Sequence, residues 1–176
     1  MAHIPLPEFE EMTPAIQEKA RPILEKTGTL GEIFKLLAID EKIYFATDEM
    51  IQKYLLDETT LSYDIKEAIA LLISKENGCE MCVDVHKNIA KMLGLSETQI
   101  EEILQGVDSM NTEDKDKALL NFCIKASQKD NYKILKEEID TLKEMGWSDT
   151  QIIEAVGITG YFNYINTLSN VFGLGE

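Results

Sequence analysis

Two cysteines and one of the chain's two histidines fall within eight positions, in the stretch ENGCEMCVDVH at residues 76–86. Residues of these types at this spacing suit three chemistries: nucleophilic attack by a thiolate, reversible disulfide formation, or metal ligation. On a helix, Cys79, Cys82 and His86 stand at i, i+3 and i+7 and fall within about 60° of one another, on one face. Cys82 and His86 are an i, i+4 pair and can meet directly. Cys79 falls at the start of that helix, where unpaired N–H groups and the helix dipole favour a thiolate. His86 is placed to take a proton from Cys82, and its protonated ring would hold the thiolate charge. The second sulfur is near enough to turn an oxidised sulfur into a disulfide. Glu80 and Asp84 would oppose thiolate formation if close; they are expected on the solvent face.

Glu67 is the fourth candidate. It directly precedes Ala68 to Ile73, a run of six apolar residues within SYDIKEAIALLISKE, residues 62–76. A helix that is apolar nearly all round must be buried. A carboxylate on it needs a partner, since a buried unpaired charge is costly. The short Asn77-Gly78 turn lets this helix pack beside the next, so Glu67 could reach and orient His86. The alternative is an exposed glutamate near a helix start, stabilised by the dipole.

The elements that must position these groups all read as helices. All four prolines precede residue 23, and no later segment alternates convincingly over a strand length. Thr13-Pro14 has the form of a cap followed by proline at the first helical position. Residues 32–57 give one or two helices. A helix over 62–76 ends at Asn77-Gly78, and the next runs from Cys79 to about Met92 and stops at Gly94. GLSETQIEEILQG (94–106) and GWSDTQIIEAVGI (146–158) repeat an S-x-x-Q capping box after a glycine. Helices over 113–129, 133–145 and 149–172 complete an all-α chain of roughly seven to nine helices. The last contains GYFNYINTLSNVFG, with few positions for a charged face, so it belongs to the core or to a subunit interface. Trp147, beside the cap Ser148, reads as a hydrophobic staple. His3, in a proline-rich start, reads as part of a frayed terminus.

The 176 residues suit one domain, with residues 1–30 an N-terminal extension carrying one helix and 31–176 the all-α domain. A net charge of −15 disfavours nucleic acid and anionic membrane surfaces as partners. No segment has the ~18 apolar residues of a membrane span, and MAHIPLPEFEEMTPAI lacks the form of a signal peptide. A cytoplasmic location is therefore expected, where a close cysteine pair is catalytic or metal-binding rather than structural.

NGCEMCVDVH, with Glu67 twelve residues before Cys79, resembles the core motif of the carboxymuconolactone decarboxylase superfamily. Within it, the pattern is similar to the alkylhydroperoxidase D-like branch: E, eleven residues, C-x-x-C, three residues, H. The motif helices cover 62–94, and the tail GYFNYINTLSNVFG resembles that of peroxidase-related members. The resemblance implies a dithiol peroxidase of the alkylhydroperoxidase D-like fold. In it Cys82 attacks the hydroperoxide, Cys79 closes the disulfide, and His86 and Glu67 relay protons. It also implies a dithiol reductant, such as dihydrolipoamide on a carrier protein, and a homo-oligomer, commonly a trimer or hexamer. No cofactor or metal is called for. One departure stands out: better-studied members carry histidine directly before the second cysteine, where this chain has Met81, which neither transfers a proton nor donates a hydrogen bond.

Three other readings of the cysteines stay open. One is disulfide exchange or redox sensing on the same fold without peroxidase turnover. Another is a zinc site built from Cys79, Cys82 and His86 with Glu67 or Cys123 as fourth ligand. The third is a purely structural role for both thiols. Cys123, in ALLNFCIKAS, reads as inert core.

Overall fold

Thr13 Oγ1 accepts the Ile16 N–H at 3.4 Å, and Pro14 sits at the first helical position, where a missing N–H costs nothing. The helix begun there, α1 (Pro14–Thr27), ends at Gly28 in the left-handed conformation. In the computed structural model, which describes residues 2–175, two short helices follow, α2 (Glu32–Leu37) and α3 (Glu41–Met50). The chain then passes straight into a π-helical segment, Ile51–Leu56, closed by the Asp57 N–H on the Gln52 carbonyl at 2.8 Å. Apolar spacing over 32–57 announces helix but does not encode this change of hydrogen-bond ladder.

Ser62 caps α4 (Tyr63–Glu76) by accepting the Ile65 N–H at 3.4 Å. Every residue of α4 from Ile65 to Ser74 is buried, as its apolar circumference requires. Gly78, at φ 64°, turns the chain into α5 (Glu80–Met92), and a second positive-φ glycine, Gly94, leads to α6 (Glu97–Gln105). There follow α7 (Asp114–Ser127), α8 (Lys136–Glu144) and the long α9 (Asp149–Val171). Both anticipated capping boxes form: Ser96 and Ser148 each accept the N–H of the glutamine three residues on at 3.2 Å. Their own N–H groups donate to the glutamine side chains at 2.9 and 3.0 Å.

Among the described residues there are nine α-helices and no strand. The core is organised around α4, which packs against α5, α6, α7 and α9. Ile69, Leu71 and Ile73 are fully buried there, each contributing about 1.5–3 kcal/mol of transfer free energy. α9 lies inside this packing rather than on its outside: Ile158 and Phe162 are buried against α4 and α7. A second, smaller cluster joins Ile16 and Ala20 of α1 to Leu30, Leu37 and Tyr44. Trp147 is buried, and its indole N–H donates to the Lys115 carbonyl at 2.9 Å.

The N-terminus departs from expectation. His3 is tied to the end of α9, its backbone N–H donating to the Phe172 carbonyl at 2.8 Å and its Nδ1 lying 2.9 Å from the Val171 carbonyl. Gly173 is packed against that ring so closely that a Cβ would lie 2.6 Å from His3 Nε2. Two chain ends meeting this way is a long-range contact that local composition does not report. No helix of the described residues is long and apolar enough to cross a membrane.

Candidate active site

The turn between α4 and α5 carries the first sulfur. Cys79 is the N-cap of α5 rather than a residue of its first turn, and its Sγ accepts the Cys82 N–H at 3.3 Å. A sulfur in this place satisfies a donor that the helix start leaves unpaired. Cys79 and Cys82 are joined in a disulfide, with Cα atoms 5.2 Å apart. Both cysteines are buried.

One turn further along α5, His86 Nδ1 lies 2.8 Å from Glu67 Oε2. Glu67 is 4% exposed, so of the two readings of this carboxylate the buried, partnered one is found. With Glu67 ionised, Nδ1 carries the proton and Nε2 is left as the acceptor. The imidazole is also held edge-to-face against Phe162 of α9, with ring centroids 4.9 Å apart at 82°. Three helices thus fix one ring: α5 carries it, α4 hydrogen-bonds it, and α9 packs it.

Glu67, Cys82 and His86 line a single cavity of about 530 Å³, within the usual size of small-molecule sites. Its other walls are almost wholly apolar, among them Phe34 from α2, Leu55 from the π-helical segment, and Tyr161 and Phe162 from α9. Met81 also lines it and is backed by the C-terminal tail, where a Cβ on Gly175 would lie 2.8 Å from Met81 Cβ. Glu80 and Asp84 are exposed, as their helical positions required. Cys79 does not line this cavity; it borders a separate polar recess with Ser74, Lys75 and Lys87.

The remaining candidate stays apart. Cys123 is fully buried in α7, and burial pushes its thiol up to about 12, only partly opposed by a hydrogen bond with Thr159. Among the described residues no three His, Cys, Asp or Glu groups are placed to hold a metal ion together. Two contributions escaped sequence reasoning. The aromatic wall from α9 was legible as apolar bulk but not as a wall of this site. Lys66, next to Glu67, is 1% exposed, donating to the Asp57 carbonyl at 3.0 Å with Glu154 at 3.8 Å. Burial lowers its pKa, against the raising effect of Glu154. A lysine beside an apolar run normally reads as solvent-facing, and here nothing in the sequence signals otherwise.

Residues 44–123 match the family model described as the carboxymuconolactone decarboxylase family. The chain is similar to that family over this stretch, which carries Glu67, Cys79, Cys82 and His86. Its alkylhydroperoxidase D-like fold is shared with an uncharacterised peroxidase-related protein from Ralstonia eutropha JMP134, described as an alkylhydroperoxidase AhpD core. That structure superposes with a TM-score of 0.89 at 21% identity, over 98% of this chain and 90% of the other. An uncharacterised peroxidase-related protein from Silicibacter sp. TM1040 gives a TM-score of 0.88 at 21% identity, over 98% and 90%. The debrominase Bmp8, in complex with 2,3,4-tribromopyrrole, gives 0.77 at 17% identity, over 99% and 92%. No curated protein sequence matches the chain.

Proposed function

We propose that this protein is a thiol-dependent hydroperoxide reductase whose substrates carry an apolar body. One observation supports this above the others: Cys82, His86 and Glu67 open onto the same apolar cavity, while Cys79 lies within bonding distance of Cys82. Cys82 is the attacking sulfur because it, and not Cys79, lines that cavity beside the imidazole.

His86 Nε2 takes the Cys82 proton, and Glu67 stabilises the imidazolium through Nδ1–H. The Cys82 thiolate attacks the terminal oxygen of the hydroperoxide, the O–O bond breaks, and the leaving alkoxide takes the proton from His86. Cys82 is now a sulfenic acid and the product is an alcohol. The Cys79 thiolate, formed at the α5 N-terminus, attacks Cys82 Sγ and hydroxide leaves as water, carrying the proton Cys79 gave up. An external dithiol, of the dihydrolipoyl kind that the family resemblance suggests, reduces the disulfide by two exchange steps. Met81 takes no part in proton transfer, so the relay runs through His86 and Glu67.

The test is single-turnover oxidation of the reduced protein by cumene hydroperoxide and by hydrogen peroxide, followed by mass spectrometry. Expected are rapid oxidation with preference for cumene hydroperoxide and a new Cys79–Cys82 bond. Oxidation no faster than that of free cysteine overturns the reading and favours disulfide exchange or sensing.

The fold shared with Bmp8 and the aromatic walls favour a second reading, reductive dehalogenation of a flat ring. Cys82 would take the halogen, the ring carbanion a proton from His86, and Cys79 would expel halide as the disulfide closes. Bromide release from 2,3,4-tribromopyrrole by the reduced protein, measured beside the peroxide assays, decides between the two.

A further inference from the structure

Four asparagines meet at the turn that carries Cys79, and the cycle above assigns them nothing. Asn77, the C-cap of α4, stands two residues before Cys79. Its Nδ2 donates to Asn163 Oδ1 at 2.8 Å and to Asn166 Oδ1 at 3.0 Å, both on α9. Its carbonyl accepts from Asn170 Nδ2 at 2.8 Å, one turn further along the same helix. Asn166 is fully buried and passes its own Nδ2 to Ser74 Oγ at 3.1 Å, and the Ser74 carbonyl accepts the Cys79 N–H at 2.9 Å. Asn163 Nδ2 is anchored in turn on the Ser127 carbonyl of α7 at 3.1 Å.

The amides at 163, 166 and 170 lie at i, i+3 and i+7, a single stripe on α9. Asn166 at its centre is fully buried, and burying an amide there is costly unless its donors and acceptor are met; Asn163 is half-buried and Asn170 exposed. The groups it meets all belong to the Ser74–Cys79 turn or brace it. Turn capping alone does not call for this: Gly94 and Gly146 end helices with the same backbone hydrogen bonds and positive φ, and among the described residues no asparagine side chain bonds the turn at either. What distinguishes the Gly78 turn is the sulfur that follows it.

We infer that Asn77, Asn163, Asn166 and Asn170 are positioning residues that clamp the Cys79 turn to α9 and hold its sulfur in range of Cys82. The inference rests on the proposed dithiol cycle and specifies which step the clamp serves. Closure of a disulfide is an intramolecular reaction whose rate follows the effective concentration of the resolving sulfur. A loosened turn lowers that concentration. Attack on peroxide is spared, because Cys82 and His86 are both carried by α5 and the imidazole is held by Glu67 of α4 and Phe162 of α9 rather than by the turn.

Two variants test the clamp. Asn77→Asp keeps the side chain's shape but removes the donor to Asn163 and Asn166. Asn170→Ala deletes one bond at an exposed position and leaves the core intact. Each is equilibrated in dithiothreitol redox buffers without peroxide, and in a second experiment its sulfenic-acid lifetime is followed after a single addition of cumene hydroperoxide. For Asn77→Asp the disulfide is expected to be about tenfold less favoured, a potential about 30 mV higher. Closure is expected to slow by a similar factor while the rate of sulfenic-acid formation stays unchanged; Asn170→Ala shows the same pattern more weakly. Potentials and closure rates within twofold of wild type in both variants overturn the clamp, as does an equal fall in attack and closure. A wild-type protein that never forms sulfenic acid sinks the peroxidase reading instead, and the redox-buffer potentials still judge the clamp.

Discussion

Cys82 and Cys123 are both buried, each on a helix packed against the same central segments, yet their surroundings make them different chemical objects. Cys123 is fully buried in α7 with the hydroxyl of Thr159 as its hydrogen-bond partner, and burial pushes its thiol up to about 12. Nothing there welcomes a negative charge. Cys82 stands in the first turn of α5, one turn from an imidazole braced by a carboxylate, at the wall of a cavity. Solvent exposure does not separate the two sulfurs; the groups that would receive the thiol proton and stabilise the anion do.

The sharpest way to break this contrast is to exchange each sulfur for oxygen. Cys82→Ser is expected to lower turnover of cumene hydroperoxide on the order of a thousandfold or more, as loss of a nucleophile does elsewhere. Cys123→Ser is expected to leave turnover within twofold, with any loss confined to stability because a hydroxyl is buried among apolar neighbours. Steady-state rates and circular dichroism on both variants suffice. Equal activity losses would mean that the core thiol also takes part.

The brace on His86 is worth less than the nucleophile but more than any neighbour. Glu67→Gln keeps the shape at 4% exposure and removes the charge that stabilises an imidazolium. A fall of roughly a hundredfold in turnover is expected, the usual range for a positioned acid–base group. Dependence on pH should change with it, since proton transfer then relies on an unsupported ring. Turnover within threefold of wild type would show that Glu67 serves burial and packing alone.

How far this site was legible in the sequence depends on which geometry each part needs. Within-helix spacing carried Cys82 and His86, and turn chemistry carried Asn77-Gly78, because both are local. The pairing of Glu67 with His86 rests on the rotation of α4 against α5, which depends on what else α4 packs; the apolar run after Glu67 narrowed the choice without deciding it. Cys79 lies one residue outside the helix that spacing assumed, because its sulfur serves as the cap. Burial of Lys66 and the π-helical turn at Ile51–Leu56 had no signature, since each follows from partners distant in the chain. The asparagines of α9 were visible as letters in GYFNYINTLSNVFG, but their common target was not, because a stripe on one helix does not say which turn it faces.

The smallest effect distinguishes the two environments through stability rather than rate. The Cys123 thiol is raised from an ordinary 9.0 to about 12 in the folded protein. A raised folded value means that its contribution is fully present below pH 9 and is lost as pH rises towards 12, because the unfolded chain releases that proton first. By pH 10 the loss is on the order of 1 kcal/mol. Urea unfolding of wild type and Cys123→Ala at pH 8 and pH 10 isolates this term, since other titrating groups are common to both. Cys123→Ala should be less stable than wild type at pH 8, where it leaves a small void, and the gap should narrow by on the order of 1 kcal/mol at pH 10. A gap that stays constant would mean that Cys123 ionises in the fold as easily as in the open chain, and the contrast between a core sulfur and a reactive one would then rest on the cavity alone.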